Sequence, residues 1–179
     1  MRRIGVLFLA PMLAGCVLVS AHQAKAPAAC PAPAAISRTY ASPSAFYSSS
    51  LVIPPGYEII RLPGTIPDPL TPGGSSYGDT EQQSENVLSK IATMLAEHKA
   101  SEADVVAMTV YLVAPTAGGA MDFEGMMRAY SQRYGVAAQP NRPVRSSVQV
   151  AGLARPGVLV EIEATAAVKP VTPCDMLQR

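Results

Sequence analysis

Apolar and polar positions follow two periods along this chain. The run DVVAMTVYLV, Asp104 to Val113, is apolar on both faces and rich in β-branched residues, which predicts a central strand. YEIIRL, Tyr57 to Leu62, predicts another, bounded by Pro54-Pro55-Gly56 and Pro63-Gly64. The period then lengthens. Val87, Leu88, Ile91, Met94 and Leu95 share one face of a predicted helix, with Glu85, Lys90 and Glu97 opposite. Thr80-x-x-Gln83 has the form of a capping box at its start, and the helix should end near Lys99. A second helix is expected from about Asp122, with Phe123, Met126, Met127, Tyr130 and Tyr134 as its buried stripe and Gly135 as its stop. VRSSVQV and VLVEIEA, near the C-terminal end, predict two more strands. The order strand, strand, helix, strand, helix, strand, strand implies an α+β domain, two helices on one face of a mostly antiparallel sheet.

The last two strands carry the candidate chemistry. In VRSSVQV, Arg145, Ser147 and Gln149 alternate onto one face; in VLVEIEA, Glu161 and Glu163 share one. The connection AGLARPG holds Gly152 and Pro156-Gly157, so a hairpin is expected, with Arg145 opposite Glu161 or Glu163. Periodicity leaves two readings open: a solvated ion pair worth about 0–1 kcal/mol, or a site.

The ends have another character. MRRIGVLFLAPMLAGC joins two arginines to an apolar run too short to span a bilayer, the form of a secretory signal peptide. Leu13-Ala14-Gly15-Cys16 resembles the lipobox of bacterial lipoproteins, which implies cleavage before Cys16, lipidation there and an exported, membrane-anchored periplasmic protein; an ordinary signal peptide cut near Ala24 or Ala26 is the other reading. The expected organisation is a leader over 1–15, an Ala/Pro-rich linker over 16–40, one domain over 41–169 and a tail over 170–179. Cys30 and Cys174 remain, one in each tail, and an oxidising compartment would permit them to pair. Loss of Arg2 and Arg3 with the leader takes the formal charge from +1 to −1, which offers nucleic acid no electrostatic footprint. His22 and His98 are the only histidines, far apart in the chain, and there is no Cys-x-x-Cys, so a metal site is not expected. Met121, Met126 and Met127 fall at core spacing. Ser146 and Ser147 lack a nucleophile-elbow pattern.

Larger pieces point further. Arg142-Pro143-Val144-Arg145-Ser146, then Val148-x-Val150-Ala151-x-Leu153 and Val160-Glu161-Ile162-Glu163-Ala164, resemble the closing signature of the RidA/YjgF family, the reactive-intermediate deaminases that hydrolyse enamines and imines. Gly64-x-Ile66-Pro67, Asp104-Val105-Val106, Thr109-Val110-Tyr111-Leu112, Asp122-Phe123 and Tyr130 fall in the family's order, so the resemblance spans about Ser42 to Ala166. It implies a chorismate-mutase-like β-β-α-β-α-β-β fold assembled as a homotrimer, with sites in clefts between subunits. It implies that Arg145 holds the carboxylate of a small imine or enamine substrate, that Glu161 handles the water and protons, and that Tyr47, Ser147 and the backbone at Gly64 and Thr65 line the cleft without any cofactor. The chain departs from the family at Pro63 (often serine), Met127 (often asparagine) and Ser147 (often cysteine), changes that bear on the substrate more than on the fold. The other function consistent with these residues is a non-catalytic trimer that binds a small carboxylate or presents a chaperone-like surface.

Overall fold

The structure is a computed structural model and describes residues 34–169. The leader, Cys16, Cys30 and Cys174 lie outside the described residues. A small antiparallel pair, β1 (Ser37–Thr39) and β2 (Ser50–Val52), comes first. β1 begins ahead of the domain boundary expected at residue 41. Then follow β3 (Glu58–Thr65), α1 (Thr80–Glu97), a short 3-10 turn at Glu102–Asp104, β4 (Val105–Leu112), α2 (Phe123–Ser131), β5 (Val144–Gln149) and β6 (Val160–Val168).

The four long strands form one sheet in the order β3-β6-β4-β5. β6 runs antiparallel to both β3 and β4, whereas β4 and β5 are parallel. β4, α2 and β5 therefore form a βαβ unit, and β3, α1 and β4 form a second one with β6 inserted between its strands. Two helices on a mostly antiparallel sheet is the architecture the periodicity implied. The expected hairpin is not formed. β5 and β6 are separated by β4, and the ten residues between them cross over that strand. The reason is burial: β6, VEIEATAAV, is covered along most of its length, whereas β5 is half exposed and takes the sheet edge.

Helix ends differ from expectation by one residue where a better cap exists. Asp79, not Thr80, is the N-cap of α1. Its carboxylate accepts from Gln82 N at 2.9 Å, and the Gln82 side chain accepts from Asp79 N at 3.1 Å. This frees Gln83 for another task. Fully buried, it donates to Gly78 O and Gly157 O, both at 3.0 Å, and accepts from Leu159 N at 2.7 Å. One amide thus satisfies three backbone groups and ties the start of α1 to the β5–β6 connection. At the other end Ala100 N bonds Leu95 O and Lys99 N bonds Ala96 O, with Lys99 at φ 58°, the position glycine usually takes. In α2, Asp122 caps Gly125 N at 2.8 Å. The helix ends at Ser131; Arg133 and Tyr134 amides then bond Tyr130 O before the chain turns at Gly135, φ 78°.

The core lies between the helices and one sheet face. Val87, Leu88, Ile91 and Leu95 of α1 and Met126 and Tyr130 of α2 pack on Met108, Val110, Leu112, Val160, Ile162 and Ala164. The predicted stripe of α2 is divided in its use. Met126 and Tyr130 are core, while Phe123 remains 39% exposed and Met127 is half-buried.

Candidate functional site

Register decides which side chains can meet. Arg145 is paired with Met108 and Ser147 with Val110, residues that face the helices. Glu161 is paired with Tyr111 and Glu163 with Thr109, on the opposite, open face. Arg145 and Glu161 of one chain therefore stand on opposite sides of the sheet, which corrects the expectation that they lie within cross-strand reach. The suggested pairing of Glu163 with an arginine is also not seen. Its Oε2 accepts from Tyr111 OH at 3.2 Å, while Arg142 stacks over Tyr40 with Cζ 5.0 Å from the ring centroid.

The helix-side group is built around Arg145. Its Cζ lies 4.1 Å from the Tyr130 ring centroid and 5.9 Å from that of Phe123, and its Nη2 donates to Met127 Sδ at 3.1 Å. Nη1 is buried with no hydrogen-bond partner, and so is Ser147 Oγ two residues along the strand. The ion pairs among the described residues are Lys90–Asp68, Arg128–Glu81 and Arg133–Glu102; none includes Arg145. Burial lowers the pKa of the guanidinium, opposed by Tyr130 and Tyr47. Aromatic faces give a desolvated cation about 2 kcal/mol, and a thioether is a weak acceptor. Neither replaces an anion.

The segment carrying Tyr47 is fastened to this group through its backbone. Tyr130 OH donates to Phe46 O at 2.9 Å, Ser48 Oγ to Arg142 O at 2.6 Å and Ser48 N to Pro143 O at 2.9 Å. Phe46 and Tyr47 thus stay 55% and 48% exposed on a pinned backbone. Burial pushes the Tyr130 hydroxyl up to about 12, with Arg145 and Arg142 drawing it down, so it remains a donor at neutral pH. A role for Phe46 and this anchor was not legible in the sequence.

The open-face group contains Glu161, Glu163, Tyr111, Thr109, Thr165 and Arg61. A depression of about 590 Å³ is lined there by Arg61, Pro63, Thr109, Glu163 and Thr165 among others. Gly64 lies against Glu161, and a Cβ at 64 would stand 2.9 Å from the Glu161 Cδ and collide with its carboxylate. The β3 backbone can approach Glu161 only because residue 64 has no side chain. Thr65 is buried on the other side, paired with Ile162, and its hydroxyl donates to Pro63 O at 3.1 Å. Of the expected site residues, Arg145, Ser147 and Tyr47 come together on the helix side, and Gly64 and Glu161 on the open side. The Thr65 side chain is spent within its own strand.

Comparison with known proteins matches this domain closely. The model of the family described as Endoribonuclease L-PSP covers residues 39–168. The chain belongs to that family. It is the RidA/YjgF family that the closing signature resembled. A RutC family protein of Pyrococcus abyssi is 38% identical over 110 residues, covering 61% of this chain and 78% of that one. A Thermotoga maritima structure at 30% identity superposes with a TM-score of 0.51 over 69% of this chain and 87% of its own. The fold recurs in the Rid family protein YyfB of Yersinia pestis, at 22% identity and a TM-score of 0.54 over 69% of this chain and 87% of that one. It recurs again in Escherichia coli TdcF solved with bound serine, at 24% identity and a TM-score of 0.50 over 74% and 99%. Within the described RidA/YjgF domain, no group of three or more His, Cys, Asp or Glu residues is placed to hold a metal ion.

Proposed function

We propose that this chain is an exported, lipid-anchored hydrolase that converts 2-imino and enamine acids to 2-oxoacids and ammonia, working as a homotrimer with sites shared between subunits. The observation that carries the reading is Arg145: a half-buried guanidinium, clasped by aromatic rings, with a buried unpartnered Nη1 and no carboxylate of its own. Such a cation suits a planar carboxylate, which it can grip through two hydrogen bonds. The nearby Ser147 hydroxyl, also unpartnered, can donate a third.

The reaction asks little more. Water adds to the C=N carbon of the imino acid, the resulting aminol loses ammonia, and a 2-oxoacid leaves. Glu161 takes a proton from the attacking water and returns it to the departing nitrogen. Orientation through the carboxylate holds the carbon where that water arrives. Because Glu161 and Arg145 lie on opposite faces of one sheet, a complete site requires the helix-side group of one subunit to meet the open face of another. The lipobox-like Leu13-Ala14-Gly15-Cys16 supports export and anchoring through Cys16. A Cys16→Ser variant should lose lipid labelling and appear in the soluble fraction, and unchanged membrane association would refute the anchor.

The disposition of the two groups also favours a second reading, a trimer that binds a small carboxylate without turning it over, since the anion-binding group is complete within one chain. Release of 2-oxoacid from imines generated in situ by an amino-acid oxidase separates the two. A rate above the uncatalysed one that is lost in both Arg145→Ala and Glu161→Gln supports the hydrolase. No acceleration over a broad panel of amino acids, with carboxylate binding retained and dependent on Arg145, supports the binder.

A further inference from the structure

The Arg145 group opens onto a groove that the hydrolysis itself does not require. The groove, of about 530 Å³, runs along the outer surface of α2 and is lined by Phe46, Phe123, Glu124, Met127, Arg128 and Ser131. Its apolar walls are Phe46, Phe123 and Met127; the Arg128 head group is held by Glu81. Met127 stands between the groove and the cation, its sulfur against Arg145 Nη2 at 3.1 Å.

We propose that Met127, Phe46 and Phe123 form a specificity subsite that selects carboxylate ligands with a bulky apolar side chain. The inference rests on Arg145 being the carboxylate anchor. A thioether is a poor partner for a guanidinium, whereas a carboxylate makes charge-assisted bonds with it. The incoming carboxylate therefore displaces the Met127 sulfur, and three rotatable bonds allow that side chain to swing aside without moving α2. Carboxylate at Arg145 and side chain in the groove describe one ligand, because the two places share Met127 and Phe123. A branched or aromatic side chain buries itself against the displaced thioether and both rings. A methyl group leaves the groove to water. An acidic side chain meets Glu124. Each methylene buried there is worth about fourfold in affinity.

The test is a binding series on the full-length chain with three carboxylates that cannot react: propanoate, 4-methylpentanoate and 3-phenylpropanoate, measured by calorimetry. The expected result is an affinity that rises at least about tenfold from the first to the last, a rise that flattens in Phe46→Ala and Met127→Asn and persists in Met127→Leu. Phe46 is exposed, so its substitution spares the core, and the wild-type series stands by itself if a variant fails to fold. A flat wild-type series, with propanoate still bound through Arg145, overturns the subsite and leaves the anchor intact. Binding of none of the three, or binding that survives Arg145→Ala, overturns the anchor. An unchanged affinity ratio in Phe46→Ala together with an altered oligomeric mass shows a second copy of the chain in the groove and also overturns the subsite.

Discussion

The two faces of the sheet are built for different work. The helix side around Arg145 is half-buried and largely apolar: a cation among aromatic rings and a methionine, with two polar atoms buried and unpartnered. The open side around Glu161 is polar and accessible, a band of carboxylates, threonines, a tyrosine and Arg61, with Gly64 pressed against the carboxylate. An anion is best recognised where water is scarce and fixed donors are plentiful. A group that must accept and release protons needs access to water. Separating them on one sheet gives each its own environment.

Mixing variants breaks that comparison most directly. Arg145→Ala and Glu161→Gln should each lower turnover by ~10²–10⁴, as measured by 2-oxoacid release. Unfolded together and reassembled in equal amounts, they should recover about a quarter of wild-type activity, because a quarter of shared sites receive both intact groups. No recovery would place both groups of a site in one chain.

A smaller effect is expected at Gly64. Gly64→Ala forces the Glu161 carboxylate aside, and a displacement of that size costs ~10² in kcat while carboxylate binding at Arg145 stays unchanged. Equal losses in binding and turnover would join the two faces energetically. Stability sharpens the contrast from the other side. Arginine stays charged at neutral pH, and a base whose folded pKa is lowered by burial is destabilising in its charged form, so Arg145 costs the empty protein stability. Arg145→Met should therefore raise the melting temperature, by roughly 1 kcal/mol or a few degrees, while it abolishes carboxylate-induced stabilisation. A lower melting temperature would mean that the cation is already satisfied. The smallest effect belongs to Glu163→Gln. It alters one hydrogen bond to Tyr111 on the exposed face, so turnover should change by less than about threefold; a larger loss would move the proton-handling role from Glu161 to Glu163.

Much of this organisation was legible in the sequence, residue by residue. The stripe Val87, Leu88, Ile91, Leu95 and the doubly apolar run from Val105 to Leu112 gave the helix and the strand as they stand, because burial on fixed faces imposes a period. The capping box was displaced because Asp79 competes better for the position than Thr80. The pairing of the last two strands was misread for a topological reason. Proximity in sequence favours a hairpin, whereas the ten-residue connector is long for one and the alanines of β6, Ala164, Ala166 and Ala167, fit a strand enclosed by neighbours. The same error placed Arg145 and Glu161 on one face. Their identities came from the family signature, and their separation could be read only from register.

β6 has one more property. It is the last strand to be made and it sits inside the sheet, the sole long-strand neighbour of β3 and the second neighbour of β4. Until Val160–Val168 arrives, β3 has nothing in the sheet to pair with, and the Gln83 amide holds only the connector that leads to β6, at Gly157 and Leu159. The β3 edge therefore stays unpaired until β6 enters, and the sheet closes late in folding although β4 and β5 can pair before it. A chain truncated before β6 should be soluble only with a chaperone.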